Sequence, residues 1–233
     1  MRFSRLPFAH WDSARLLCCG VGLMAVLLIE SSGMGEMLDL QVTNWLFQYL
    51  GTRFKPSPQI VLVTIDDGSL QLMEPKIGRW PWPRSHLARL VQACEGAAGV
   101  GVDVLLLERD RFQPENDAVF AAAVRHHGRV ALSGAFVDEL VRGTPSLPPF
   151  VQRSLIPYGA ATPHPRPQYL AQQFLAPLPV MGEAASRIGH ANFFPARDHV
   201  LRSYSYLMTT DRGWMPSLAV ATVKFFCVCK FEG

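Results

Sequence analysis

Three uncharged or nearly uncharged apolar runs, "QIVLVTID" (Gln59–Asp66), "GVGVDVLLL" (Gly99–Leu107) and "RVALSGAFV" (Arg129–Val137), constrain this chain most. Each is short and β-branched, and each is apolar on both alternating faces, the pattern of a strand covered on both sides. Between them lie helix-patterned stretches. "PRSHLARLVQACEGA" has Pro83 at its start and Gly96 near its end, and "ENDAVFAAAVRHHG" closes at Gly128. Strand, helix, strand, helix, strand predicts right-handed crossovers and an α/β fold with a mainly parallel sheet. Further on, Leu201, Tyr204, Tyr206 and Met208 alternate around the turn "TDRG", which predicts a C-terminal antiparallel hairpin. "SLAVATVKFFCVC" reads as a closing apolar helix, interrupted by Lys224. Asp138 to Pro179, rich in Pro and Gly, reads as a long loop or lid with short strands.

Only 18% of the 233 residues are charged while 49% are hydrophobic, and this imbalance points to a membrane. Leu16–Ile29 is free of charge and follows Arg2, Arg5 and Arg15, so residues 14–34 are expected to form one N-terminal membrane helix. Residues 1–13 would then be cytoplasmic and the remainder would lie outside. A cleaved secretory signal is the competing reading, although no small-x-small cleavage pattern follows. Gly35–Leu50 has helical apolar spacing and leads into the domain, expected over residues 35–226. A net charge of +3 without a Lys/Arg run excludes a nucleic-acid partner. Cys18, Cys19, Cys94, Cys227 and Cys229 match neither a disulfide framework nor a zinc site.

In an open α/β sheet, ligands sit beyond the carboxyl ends of the strands. Asp66 and Asp67 would end the first strand, Asp103 would lie in the second, and Glu108 would end it. Arg84 would open the first crossover helix on the same edge, beside Asp66. The lead-in "RWPWPR" adds Trp80 and Trp82 over the strand ends, with Pro81 keeping the approach extended and Pro83 in the first helical turn. Asp66, Asp67, Asp103, Arg84, Trp80 and Trp82 are therefore the candidate ligand-binding residues. A purely structural role, as Asx-turns and ion pairs, remains open for the same side chains. Phosphate-loop, dinucleotide, nucleophile-elbow and HExxH patterns are absent, so no catalytic residue, cofactor or metal is expected.

Four blocks carry a family resemblance: "IVLVTIDDGSL", "GRWPWPRSHLARLV", "GVGVDVLL" and the Asn116–Asp117 pair. "GHANFFPARDHVLRSYSYL" and "PSLAVA" extend it. Together, from about Gly35 to about Lys224, they resemble the CHASE2 domain, a sensory domain outside the cytoplasm in bacterial transmembrane signalling proteins. The resemblance implies a receptor of the bacterial inner membrane, its sensory part periplasmic, coupled to a cytoplasmic cyclase or kinase. Such receptors usually carry three more membrane helices, so 227–233 is expected to be a truncated tail. The partners it implies are the membrane, a small-molecule ligand or periplasmic protein, and a second copy of the chain in a homodimer. It supplies no binding residues. The reading from a different class is a metal-dependent hydrolase using Asp66, Asp67 and Asp103.

Overall fold

In the computed structural model, residues 13–51, 55, 57–137, 147–158, 173–195 and 198–223 are described. The chain divides into two units, Met1–Thr64 and Ile65–Gly233. The first contains α1 (Ser13–Ser31) and α2 (Met34–Gly51), joined through Gly33 in the left-handed region at φ 71°. Large apolar side chains of α1, from Leu16 to Leu28, are 55–69% exposed.

The expected membrane helix is corrected here: among the described residues, no helix is long and apolar enough to cross a membrane. Length is the physical reason. Leu16–Ile29 is bounded by Arg15 and Glu30. At about 1.5 Å per residue it reaches about 21 Å, short of a hydrocarbon core of about 30 Å. The first expected strand is corrected as well. Ile60–Val63 is not a strand, and its four apolar side chains are 64–84% exposed. A short apolar run is compatible with a strand, but a strand forms only where a ladder partner accepts its backbone groups.

The second unit opens with α3 (Asp67–Ile77), a helix where the sequence suggested only a turn. After it come α4 (Arg84–Ala93), β1 (Val100–Val102), α5 (Glu115–His127) and β2 (Val130–Val137). α6 (Pro149–Gln152), β3 (Gln173–Leu175), α7 (Pro179–Ala184) and β4 (Arg187–His190) follow. The hairpin β5 (Leu207–Thr209) and β6 (Trp214–Pro216) leads into α8 (Leu218–Val223). The lid region thus contributes α6 and β3, while residues 138–146 and 159–172 lie outside the described residues. The same holds for the expected tail 227–233 with Cys227 and Cys229, for Lys224, and for residues 1–12.

The sheet is mixed, not mainly parallel. β2 pairs parallel with β1 (Val100 opposite Val130) and with β4 (Leu132 opposite Ile188), then antiparallel with β3 (Phe136 opposite Phe174). One long strand reaching past its two parallel neighbours leaves backbone groups at Ala135–Val137; β3 pairs with this end from the opposite direction, and the Asn192 side chain bonds the N–H and carbonyl of Phe136. The hairpin forms as expected around the turn at Thr210–Gly213.

Alternation along β2 builds two cores. Val130 and Leu132 join Phe120 and Val124 of α5, Leu87 and Val91 of α4 and Met181 of α7. Ala131 faces the other way, against Leu218 and Ala221 of α8. At Gly189 a Cβ would lie 2.5 Å from the Leu218 Cα, so only glycine lets α8 cross β4 this closely.

Candidate functional site

α4 begins at Arg84 because Pro83, with φ −52° and ψ 136°, fixes an extended entry and has no N–H to donate. Trp82 is buried at 7% exposure and packs edge-on to Trp80, ring centroids 5.5 Å apart; Trp80 is 39% exposed. The Trp80–Pro81 peptide bond is cis, where the sequence suggested only an extended approach.

From this lead-in Arg84 projects onto the loop before α5. Its Nη2 donates to the Glu108 carbonyl, and its backbone N–H donates to Asp110 Oδ2 at 2.6 Å. Nε stands 3.2 Å from Asp117 Oδ1, within ion-pair range but without hydrogen-bond alignment, and Nη1 has no hydrogen-bond partner. Both side chains are nearly enclosed, Arg84 at 12% and Asp117 at 8% exposure.

Asp110 organises the loop. Its Oδ1 accepts from the Phe112 N–H at 2.8 Å and the Gln113 N–H at 3.0 Å, and its own N–H donates to Asp117 Oδ1 at 3.1 Å. Burial pushes the Asp110 carboxyl up, but the N–H groups of Arg84, Gln113 and Phe112 and the Asn116 side chain outweigh it and hold it below the usual carboxylate range. Arg84, Asp110 and Asp117 thus form a brace between the starts of α4 and α5.

A cleft of about 370 Å³ opens beside this brace, lined by Arg109, Pro114, Asp117, Ala118 and the start of α7 at Leu178–Val180. Asp117 faces it with its charge already engaged by Arg84.

The expected candidates part company here. Arg84 enters the brace, where it pairs with Asp117 and not Asp66, and Trp82 is buried in the lead-in beside Trp80. Asp66 is the N-cap of α3, accepting from the Ser69 N–H at 2.8 Å and hydroxyl at 2.7 Å, and these bonds lower its pKa. Asp67 occupies the first turn of α3, where its charge suits the helix dipole. Asp103 lies just past β1 and is exposed. Among the described residues, no three His, Cys, Asp or Glu side chains are grouped to hold a metal ion.

Sequence reasoning missed Asp110, although "DRFQPE" carries the Asx-turn pattern of an Asp ahead of a proline-led helix. It also missed His190, at the end of β4. This side chain is 0% exposed, and its ring hydrogen-bonds the Ser205 backbone. Burial pushes its pKa down to about 4, opposed by the Ser205 backbone. Phe136 and Tyr204 pack around it, each with ring centroids 6.3 Å away.

An open mixed sheet with helices packed on both faces defines an α/β domain. The CHASE2 domain model matches residues 21–228, and the chain belongs to this family of extracellular sensory domains. No curated protein and no solved structure matches the chain.

Proposed function

We propose that this chain is the extracytoplasmic signal-input domain of a bacterial receptor held at the membrane, responding to a small ligand and coupled to a cyclase or kinase. The observation that carries the reading is the family match over residues 21–228. The exposed apolar side chains of α1 support attachment at the membrane, and the fold supplies a mechanical element for the response. Arg84 ties the start of α4 to Asp110 of the loop before α5 and to Asp117 in the first turn of α5. A ligand acts only by binding two arrangements with different affinity, and a buried ion pair is an element with discrete made and unmade states.

The test is thermal unfolding of the full chain against a panel of periplasmic metabolites and divalent cations. A ligand at ten times its Kd adds about 1.4 kcal/mol and raises Tm by roughly 3–6 °C. A panel without a single stabilising compound would count against ligand sensing. Coupling has its own test in the DNA that follows codon 233, where a cyclase or kinase reading frame is expected. The hydrolase alternative gains no specific observation, since Asp66 caps α3 and Asp103 stands exposed.

A further inference from the structure

The cleft beside the brace carries a charge that the fold does not balance. Arg109, on the loop that leads from β1 to α5, lines it and is exposed. Among the described residues, none forms an ion pair or hydrogen bond with its guanidinium. The other charged group in the lining is Asp117, already matched by Arg84 Nε at 3.2 Å. The acids Glu108, Asp110 and Glu115 do not line the cleft. One positive charge is therefore left over.

The rest of the lining is apolar. Pro114 and Ala118 come from the start of α5, and Leu178, Pro179 and Val180 from the start of α7. Val180 is 41% exposed, so a ligand in the cleft would take apolar surface out of water. Both walls are held from behind. Asp110 Oδ1 accepts from the Phe112 and Gln113 N–H groups ahead of α5, and the Leu178 N–H donates to the Leu106 carbonyl at 2.9 Å. The loop that carries Arg109 follows the carboxyl end of β1, a parallel strand, and open α/β sheets take ligands beyond such ends. At about 370 Å³ the cleft is near the lower end of the roughly 300–1,000 Å³ usual for small-molecule sites, so its occupant is small. A guanidinium with its fork unused matches a carboxylate bidentately, and one unbalanced charge calls for one carboxylate.

We propose that this cleft binds a small monocarboxylate with a short aliphatic body, its carboxylate on Arg109 and its chain against Ala118, Leu178 and Val180. The inference rests on the sensory reading and gives it a ligand class. A ligand held there touches the starts of α5 and α7 at once. It therefore favours the arrangement in which the two are clasped together, the difference in affinity a sensor needs. Because Arg109 is exposed, water and ions screen the attraction, and affinity falls as salt is added.

Saturation-transfer NMR titration of the full chain is the experiment, with propionate, butyrate and isovalerate as probes and butanol, butylamine, leucine and succinate as comparisons. At least one monocarboxylate is expected to bind, and more tightly than any comparison compound. Its affinity should fall about fivefold in Arg109→Gln. Binding should vanish in Ala118→Leu, whose larger side chain occupies the cleft. Positions 109 and 118 are both exposed, so both variants should keep the wild-type unfolding midpoint. Absence of binding by all three monocarboxylates overturns the proposal, and so does binding left unchanged by either substitution. Tighter binding of leucine or succinate overturns the monocarboxylate class. The sensory reading fails separately. A metabolite that stabilises wild type and Ala118→Leu equally keeps the sensor and discards this cleft.

Discussion

Arg84 places a guanidinium where Asp117 has almost no access to water, so truncation leaves a buried carboxylate without its counter-charge. Arg84→Ala is expected to destabilise the fold by about 3 kcal/mol, read as a lower midpoint in urea unfolding. Asp66→Ala should cost clearly less than Arg84→Ala, since Asp66 caps an exposed helix. A reversed ranking of the two would show that the brace carries no stability. His190 sets a pH dependence. Its folded pKa, about 4, lies below the ordinary 6.5, so the unfolded chain takes up a proton that the fold refuses. Stability is then complete above pH 6.5 and declines as pH falls toward 4, by about 2 kcal/mol at pH 4.5. Unfolding curves between pH 7.5 and 4.5 check this, and His190→Phe should flatten most of the slope. Asp110 leaves this window clear, because its lowered pKa places its own loss at more acid pH. Arg84 was legible as a residue of interest from its proline-led helix start. Its partner was not, because Asp117 is 33 positions away and only the α4–α5 packing brings them together.

At the scale of elements, helix ends were the best-written part of the sequence. α5 runs Glu115–His127 and stops at Gly128, whose φ of 74° suits a residue without a Cβ. Gly128→Ala should cost about 1 kcal/mol through backbone strain alone, since a Cβ there would meet no atom within 4 Å. Gly189→Ala differs in kind. Its Cβ would meet the Leu218 backbone at 2.5–2.6 Å, where no side chain can give way. A loss of about 2 kcal/mol or more is expected, with α8 displaced from the sheet and faster amide exchange across β4. Equal costs for the two substitutions would contradict the close crossing. Strands were written less clearly. "RVALSGAFV" became β2 almost as expected, but "GVGVDVLLL" yields only Val100–Val102, and "QIVLVTID" yields none. Apolar content identifies a segment that would tolerate burial in a sheet; ladder partners decide whether and how far it becomes a strand.

For the whole molecule, the proposed attachment at the membrane with the domain outside predicts that a periplasm-dependent reporter fused after residue 60 is active. Activity confined to a cytoplasm-dependent reporter at the same point would overturn that placement. By itself the sequence determined what local chemistry decides: the α4 start, the α5 start and stop, the hairpin turn, an α/β class and membership of a sensory family through ordered blocks. The tertiary structure alone decided the parallel and antiparallel mixture around β2, the exchange of Asp66 for Asp117 as the partner of Arg84, and the burial of His190 among aromatic rings. The division has a physical cause. Caps and turns are made by residues three or four apart, whereas ladder direction, ion-pair choice and desolvation depend on groups that meet only after the chain has folded back on itself.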